Sequence, residues 1–252
     1  LVDATMLRLR ADVPVGAYLS GGLDSAVIAA IVRKFAQNRL DTFSIAFDDA
    51  SFDESAWQLR SARWRGTEHQ VVRASHADIG RVFPEVIWHT ETPLTRTAPA
   101  PMFLLSKLVR DSGYKVVLTG EGADEFLAGY DIFKEAKVRR FWAAQPQSAW
   151  RPLLLKRLYP DIEGLAKSNP ALLAAFFREG LAQTDSPEYS HALRWRNGRR
   201  NGRFLSEEVQ RQGAGQGSHL LAGLWPANFQ SWAPLARAQF LEIKLFLSEY
   251  LL

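Results

Sequence analysis

The chain of 252 residues contains no cysteine. This stretch therefore has no disulfide, no zinc–thiolate site and no thiol nucleophile. It also lacks any apolar run near the roughly 18 residues that span a bilayer, and its first residues do not resemble a signal peptide. With 47% hydrophobic and 23% charged residues, these absences predict a soluble cytoplasmic protein with no membrane partner.

A P-loop is missing as well, because no G-x-x-x-x-G-K-[ST] occurs. The most distinctive loop is instead 20–25 (SGGLDS), which follows an apolar strand and opens a helix. Gly21 and Gly22 let the backbone approach phosphate oxygens, and the helix start offers free N–H groups. The two serines can add hydroxyl donors. Asp24 repels phosphate, so its expected partner is Mg²⁺ held by the phosphates.

Strand and helix patterns alternate over the first 130 residues. Strands are predicted at 13–19, 42–47, 70–72 and 115–119, and helices at 24–38, from 51 or 53 to 63, at 75–89 and at 101–112. This alternation predicts an α/β fold, a Rossmann-like parallel sheet with helices on both faces. Helices follow, among them 153–155, 172–177 and 240–252, with a glycine-rich loop at 212–218. We therefore divide the chain into a nucleotide-binding core, 1–130, and a helical region, 131–252.

A second loop, 119–125 (TGEGADE), ends the last predicted strand. Its acidic residues Glu121, Asp124 and Glu125 lie within five positions, which is unfavourable unless a cation or a reacting group offsets the charge. Parallel strands present their carboxyl ends at one edge, so Asp124 is expected to face the same edge as Asp24. Two such carboxylates suit a Mg²⁺ that bridges ATP phosphates. The alternative is an acidic cap on the next helix.

The two loops together resemble a known family. Residues 13–25 (VPVGAYLSGGLDS) and 118–125 (LTGEGADE) are similar to the two signatures of glutamine-dependent asparagine synthetases of the bacterial type, members of the PP-loop ATP pyrophosphatase superfamily. Residues 43–47 (FSIAF) resemble the family's adenine-side strand. The resemblance implies an adenine nucleotide alpha hydrolase-like fold. It also implies that this chain is a synthetase domain whose N-terminal glutaminase domain and C-terminal end lie outside it, so that the chain alone binds nucleotide without turnover.

The resemblance implies an ATP-dependent, AMP-forming carbon–nitrogen ligase. The β-carboxylate of aspartate would attack the α-phosphorus of ATP, giving β-aspartyl-AMP and pyrophosphate, and ammonia from glutamine would displace AMP. The resemblance implies that Ser20, Gly21, Gly22 and Ser25 bind the pyrophosphate portion and that Asp24 and Asp124 ligate Mg²⁺. It implies adenosine contacts by the backbone of Leu19 and Ile45, and ribose contacts by Thr119 and Gly120. Glu121 would orient the substrate or transfer a proton.

Two segments depart from the family pattern. Where the family has phenylalanine-glycine-glycine-tyrosine, this chain has 126–130 (FLAGY), and alanine at Ala128 is expected only to tighten the packing. The loop 91–97 matches poorly in length. Arg96 in this loop is our candidate partner for a substrate carboxylate, and the alternative is an exposed arginine on a mobile loop.

Other functions stay open from the sequence. A β-lactam synthetase-like or lasso-peptide cyclase-like amide-forming enzyme would share both loops. A tRNA-modifying PP-loop enzyme would explain the arginines of 194–203, although solvated side chains are the simpler interpretation and nucleic acid is not an expected partner. A non-catalytic nucleotide-sensing module is the third alternative. A homodimer is also left open.

Overall fold

The computed structural model describes residues 1–36, 40–92, 94, 96–160, 164, 169–213, 221 and 223–251. They form two compact units, Leu1–Glu121 and Gly122–Leu252. The division into functional domains at residue 130 stays a prediction.

The first unit is built on a parallel sheet. Its elements are α1 Val2–Arg8, β1 Val15–Tyr18, α2 Leu23–Phe35, β2 Asp41–Phe47, α3 Ser55–Arg65, β3 Glu68–Ala74, α4 His76–Thr90, α5 Pro99–Asp111 and β4 Val116–Leu118. The strand order is β3-β2-β1-β4, and all pairs are parallel. The chain moves outward from β1 to β3 and then returns to the other side of β1. This reversal between β1 and β4 is the switch point at which open α/β sheets bind ligands.

Helices cover both faces of the sheet, which confirms the predicted fold class. On one face, strand residues pack against α2 and α3 in a core of Ala17, Leu19, Ala29, Val32, Leu40 and Ala62. On the other face, Phe43 of β2 packs with Leu105 and Val109 of α5. Gly16 makes room for that ring, since a Cβ there would lie 2.7 Å from Phe43 Cε2. Burying these side chains on two faces supplies the main favourable term in folding.

Two helix starts in this unit were predicted from the sequence, one at 51 or 53 and one at 75. Ser75 caps α4 as expected: its Oγ accepts from the Asp78 N–H at 3.1 Å, and Asp78 Oδ2 accepts from the Ser75 N–H at 3.0 Å. The hydrogen bonds from Ser75, and then that from Arg81, hold the pKa of Asp78 well below its usual range. The preceding helix, α3, begins at Ser55. Asp53 accepts from the Ser55 N–H at 3.2 Å, but the N-cap is Glu54 and no side chain caps this helix, so the predicted start at 51 or 53 was too early.

The described residues of the second unit form helices and turns, with no strand among them. Its elements are α6 Ala123–Leu127, α7 Asp131–Ala143, a 3-10 helix Arg151–Arg157, α8 Pro170–Arg178, α9 Ala192–Arg199, a 3-10 helix Arg200–Phe204, α10 Glu207–Gly213, a 3-10 helix Phe229–Ser231, α11 Pro234–Leu241 and a π-helix Glu242–Leu251. The prediction at 153–155 was wrong in type, because the helix there is 3-10. The helix predicted over 240–252 is the end of α11 continued by the π-helix. In the predicted loop 212–218, residues 212 and 213 end α10, and the rest lies outside the described residues.

The core of the second unit contains a buried charge. Arg139 of α7 is fully buried beside Trp142, and its guanidinium donates to three backbone carbonyls, those of Phe177, Glu179 and Tyr189, at 3.2, 2.7 and 3.2 Å. Burial lowers the pKa of Arg139. Because each guanidinium nitrogen donates to a carbonyl, the arginine ties α7 to α8 and to the segment after it, and the buried polar group is satisfied.

Candidate functional site

The loop after β1 is closed around the hydroxyl of Ser25. The Ser20 N–H donates to Ser25 Oγ at 3.1 Å, the hydroxyls of Ser20 and Ser25 are 3.0 Å apart, and Ser25 Oγ contacts the Gly22 carbonyl at 3.3 Å. Ser25 is only 5% exposed, whereas Ser20 is exposed. In this conformation Ser25 holds the loop from inside, and Ser20 is the serine that is exposed.

Glycine suits the two positions 21 and 22 of this loop for different structural reasons. Gly21 has a φ of +90°, and a Cβ there would lie 3.2 Å from Trp57 Cβ and 3.4 Å from Glu54 Cβ, so both conformation and space favour glycine. Gly22 has an ordinary φ of −75° and is the N-cap of α2, with no side chain accepting from the helix start. The first N–H groups of α2 therefore have no side-chain cap, and free N–H groups at a helix start are a general feature of anion-binding sites.

The loop after β4 packs directly on the start of α2. A Cβ on Gly120 would lie 2.8 Å from the backbone nitrogen of Ser25, 3.0 Å from Asp24 Cβ and 3.1 Å from the carbonyl carbon of Asp24. The next residue, Glu121, is exposed, and its N–H donates to Thr119 Oγ1 at 3.4 Å. The structure thus brings the two sequence motifs together at the β1–β4 switch point, and glycine at 120 is what allows the approach.

The predicted adenosine contacts lie at the ends of β1 and β2. Leu19 is fully buried, and its backbone is already paired: its N–H donates to the Phe43 carbonyl at 2.9 Å and its carbonyl accepts from Ser44 Oγ. Ile45 is half-buried, and its carbonyl accepts from Gln58 Nε2 at 3.0 Å. Sequence reasoning missed Gln58. Nothing in the polar sequence of α3 marks it, because only the packed structure shows that this side chain is buried.

The second predicted metal ligand, Asp124, lies in the first turn of α6 in the second unit. Its carboxylate packs over Gly129, where a Cβ would come within 1.8 Å of Asp124 Oδ1, and the Gly129 N–H donates to the Asp124 carbonyl at 2.9 Å. The neighbouring Glu125 is fully buried and accepts from the Tyr130 hydroxyl at 2.9 Å. Asp24 belongs to the first unit, and the pairing of the two aspartates stays a prediction.

Ala128 corrects one expectation from the sequence. Its φ of +60° and ψ of +43° place it in the left-handed region, as the C-cap of α6. An L-residue is strained there by roughly 1–2 kcal/mol relative to the right-handed region. Alanine in place of the family's glycine therefore adds backbone strain, and the effect is not only tighter packing.

The predicted basic residues are placed as follows. Arg96 is exposed in the segment between α4 and α5. Arg194 donates to the Tyr159 hydroxyl at 2.6 Å and lies 3.7 Å from the buried Glu135 carboxylate. Arg196 pairs with Glu179 at 2.7 Å. Two arginines of the 194–203 cluster thus have intramolecular partners, which favours the structural interpretation of that cluster over a nucleic-acid surface.

Within the described ranges, no helix is both long enough and apolar enough to cross a membrane. The same part of the chain contains no group of three or more histidine, aspartate or glutamate side chains arranged to hold a metal ion.

The switch point, the glycine loops and the uncapped start of α2 define a class: a Rossmann-like α/β protein whose two glycine-containing loops meet at one edge of a parallel sheet. All 252 residues match the asparagine synthase family. The chain belongs to that family.

Several curated proteins are similar to this chain. A putative glutamine-hydrolysing asparagine synthetase of Mycobacterium bovis is 38% identical over 135 residues, 54% of this chain and 20% of that protein. Asparagine synthetase 1 of Bacillus subtilis is 34% identical over 135 residues, 54% and 21%. Amidase chyE of Penicillium rubens is 34% identical over 169 residues, 62% and 24%. The matched region thus spans about a fifth to a quarter of these relatives.

Among solved structures, an NH3-dependent NAD synthetase from Campylobacter jejuni in complex with the nitrate ion gives a TM-score of 0.36 at 16% identity. The match covers 73% of this chain and 91% of that chain. This likeness is too distant to bear on function.

Proposed function

We propose that this chain binds ATP and activates a carboxylate as its adenylate, as the synthetase part of an ATP-dependent amide-forming ligase. The observation that carries the proposal is the contact of the Gly120 loop with the start of α2, beside the Ser20–Gly22 loop. This contact places the loop after β4 beside the loop after β1, at the switch point of the sheet. Membership of the asparagine synthase family supports the same reaction class.

In the proposed reaction, the chain's main task is to hold ATP so that pyrophosphate leaves intact. The amides at the start of α2, the Gly21 and Gly22 backbone and the Ser20 hydroxyl would bind the pyrophosphate portion. Thr119 and Gly120 would contact the ribose, and the ends of β1 and β2 the base. The Ser25 hydroxyl would keep the loop in shape from inside, since it is bonded to Ser20 and Gly22.

The acidic residues would serve the metal and the substrate. Asp24 is partly exposed in the first turn of α2, and a lone carboxylate there fits a Mg²⁺ that takes its other ligands from phosphate oxygens and water. We assign Asp24 and Asp124 as the residues that would hold it; when bound, Mg²⁺ would offset charge on the leaving pyrophosphate. Glu121, exposed beside Gly120, would orient the substrate or accept a proton from the attacking amine.

Aspartate, with ammonia derived from glutamine, is the substrate set that the asparagine synthetase relatives favour. A glutaminase domain would be the partner that supplies the ammonia. The amidase-named relative, which matches over a longer stretch at 34% identity, favours a second candidate: an amide-forming enzyme of the same scaffold acting on another carboxylate. With either substrate, Arg96 would be one residue that binds the substrate carboxylate.

The test measures pyrophosphate release by the full-length gene product with ATP, Mg²⁺, glutamine and aspartate. Asparagine and pyrophosphate are expected in equal amounts. Pyrophosphate release only with a different carboxylate would replace aspartate by that substrate and leave the adenylation chemistry standing. No pyrophosphate with any carboxylate, despite ATP binding, would favour a nucleotide-sensing module.

Variants separate the proposed roles. Asp24→Asn and Asp124→Asn should each abolish Mg²⁺-dependent pyrophosphate release while the fold survives, because the charge of the metal ligand is lost. Wild-type release by either variant would remove that residue from the metal site. Glu121→Ala should bind ATP normally and form no amide, and unchanged amide formation would make Glu121 structural.

A further inference from the structure

Gln58 is a buried amide at the edge of the proposed nucleotide site. It lies on α3, is only 3% exposed, and its Nε2 donates to the Ile45 carbonyl at 3.0 Å with a longer contact to the Ser20 carbonyl at 3.5 Å. Carbonyl oxygens only accept hydrogen bonds, so the amide nitrogen must face them. The orientation of the amide is therefore fixed, with Nε2 directed at the two carbonyls and Oε1 as the remaining acceptor.

The Oε1 of Gln58 has no hydrogen-bond partner in the part of the chain that the structure describes, although it is buried. A buried acceptor without a donor destabilises a fold, whereas an apolar side chain of similar size avoids the cost. The other half of the same amide is well paired, so the side chain is held in place. This combination is expected of an acceptor whose donor arrives with a ligand.

The position of Gln58 indicates which ligand group that donor belongs to. Ile45 lies at the carboxyl end of β2, and Ser20 follows the carboxyl end of β1. In the proposed function the base of ATP lies at these strand ends, while the phosphates lie at the start of α2. A donor beside Ile45 is therefore a base edge. Of the groups on adenine, the 6-amino group is the hydrogen-bond donor.

We propose that Gln58 is a specificity-determining residue that reads the 6-amino group of adenine through Oε1. The inference rests on the proposed ATP-binding function. Guanine and hypoxanthine carry an oxygen at position 6, which would oppose the acceptor Gln58 Oε1. The site therefore rejects GTP and ITP, because a buried acceptor is left facing another acceptor.

The experiment compares the affinities of ATP and ITP for the wild-type chain and for Gln58→Met, which keeps length and volume but removes the amide. The wild type should prefer ATP by at least roughly tenfold, the ratio that about 1.4 kcal/mol gives. In Gln58→Met the preference should fall about tenfold, chiefly through weaker ATP binding. Gln70→Met is the matched control: Gln70 lies on β3 and its Oε1 accepts from Ser112 at 2.8 Å, so its loss should leave the preference unchanged.

A nucleotide series on the wild type tests the same point without a variant. N6,N6-dimethyl-ATP has no N–H at position 6 and should bind at least tenfold more weakly than ATP. Equal binding of ATP, ITP and the dimethyl analogue would overturn the inference, as would an unchanged ATP preference in folded Gln58→Met. In those results ATP still binds, so the proposed function survives. Failure of every nucleotide to bind would overturn both.

Discussion

Replacing Gly120 by alanine tests whether the two loops meet as the structure places them. The added Cβ would lie 2.8 Å from the Ser25 backbone nitrogen, about 0.6 Å short of an ordinary contact at 3.4 Å. Two further atoms, both of Asp24, lie at 3.0 and 3.1 Å. The φ of Gly120 is not in the left-handed region, so the effect is steric. Either the loop or the start of α2 must move.

The expected magnitude follows from the kind of atom that is crowded. Backbone at a helix start cannot rotate away as a side chain can, so Gly120→Ala should cost about 1–3 kcal/mol of stability, the usual range for overpacking. ATP affinity should fall at least about tenfold, because the helix N–H groups that would bind phosphate shift with α2. Urea unfolding and ATP titration measure the two effects.

Gly80 provides the matched control. It lies inside α4, and a Cβ there would meet nothing within 4 Å. Gly80→Ala should therefore stabilise the protein by about 0.5–1 kcal/mol through helix propensity, with ATP affinity unchanged. Wild-type stability and ATP affinity in Gly120→Ala would refute the loop contact on which the proposed site depends.

Two further predictions concern stability. Ala128→Gly should stabilise the protein by about 0.5–1 kcal/mol, because relief of left-handed strain exceeds the added backbone entropy; a lower urea midpoint would contradict the assigned φ. For His69, burial lowers the pKa, against a smaller opposing effect of its hydrogen bond to Thr42. Its contribution to stability is therefore fully present above the unfolded pKa of about 6.5 and is lost as pH falls through the lower folded value. His69→Gln should show a shallower loss of stability between pH 7.5 and pH 5 than the wild type, and equal slopes would refute this.

The sheet and its helices could be predicted because their signals are local. The alternation of apolar runs with 3.6-residue patterns placed all four strands and the helices between them. Strand β3 was predicted at 70–72 but spans Glu68–Ala74. It lies at the edge of the described sheet beside β2, and its exposed charged residues Glu68 and Arg73 flank the apolar pair, so the apolar signal understates its length.

The helical unit was less predictable, because its helix types depend on packing. Around Leu153 three consecutive leucines indicated an amphipathic helix, but only Leu155 is in the core while Leu153 is exposed. The segment instead forms a 3-10 helix, in which Pro152 occupies one of the first positions. The same limit applies to Arg139, whose burial in the core no charge pattern indicates.

The sequence by itself determined the loops at 20–25 and 119–125, their places after strands, and the family to which they belong. Those features depend on neighbouring residues: glycine where φ is positive, a strand before, a helix after. Only the tertiary structure decided that Gly120 lies against Ser25, that Ser25 braces its loop, and that Gln58 is buried beside Ile45. These facts depend on strand order and on helix–sheet packing, which join residues far apart in the chain and decide which polar groups lose water.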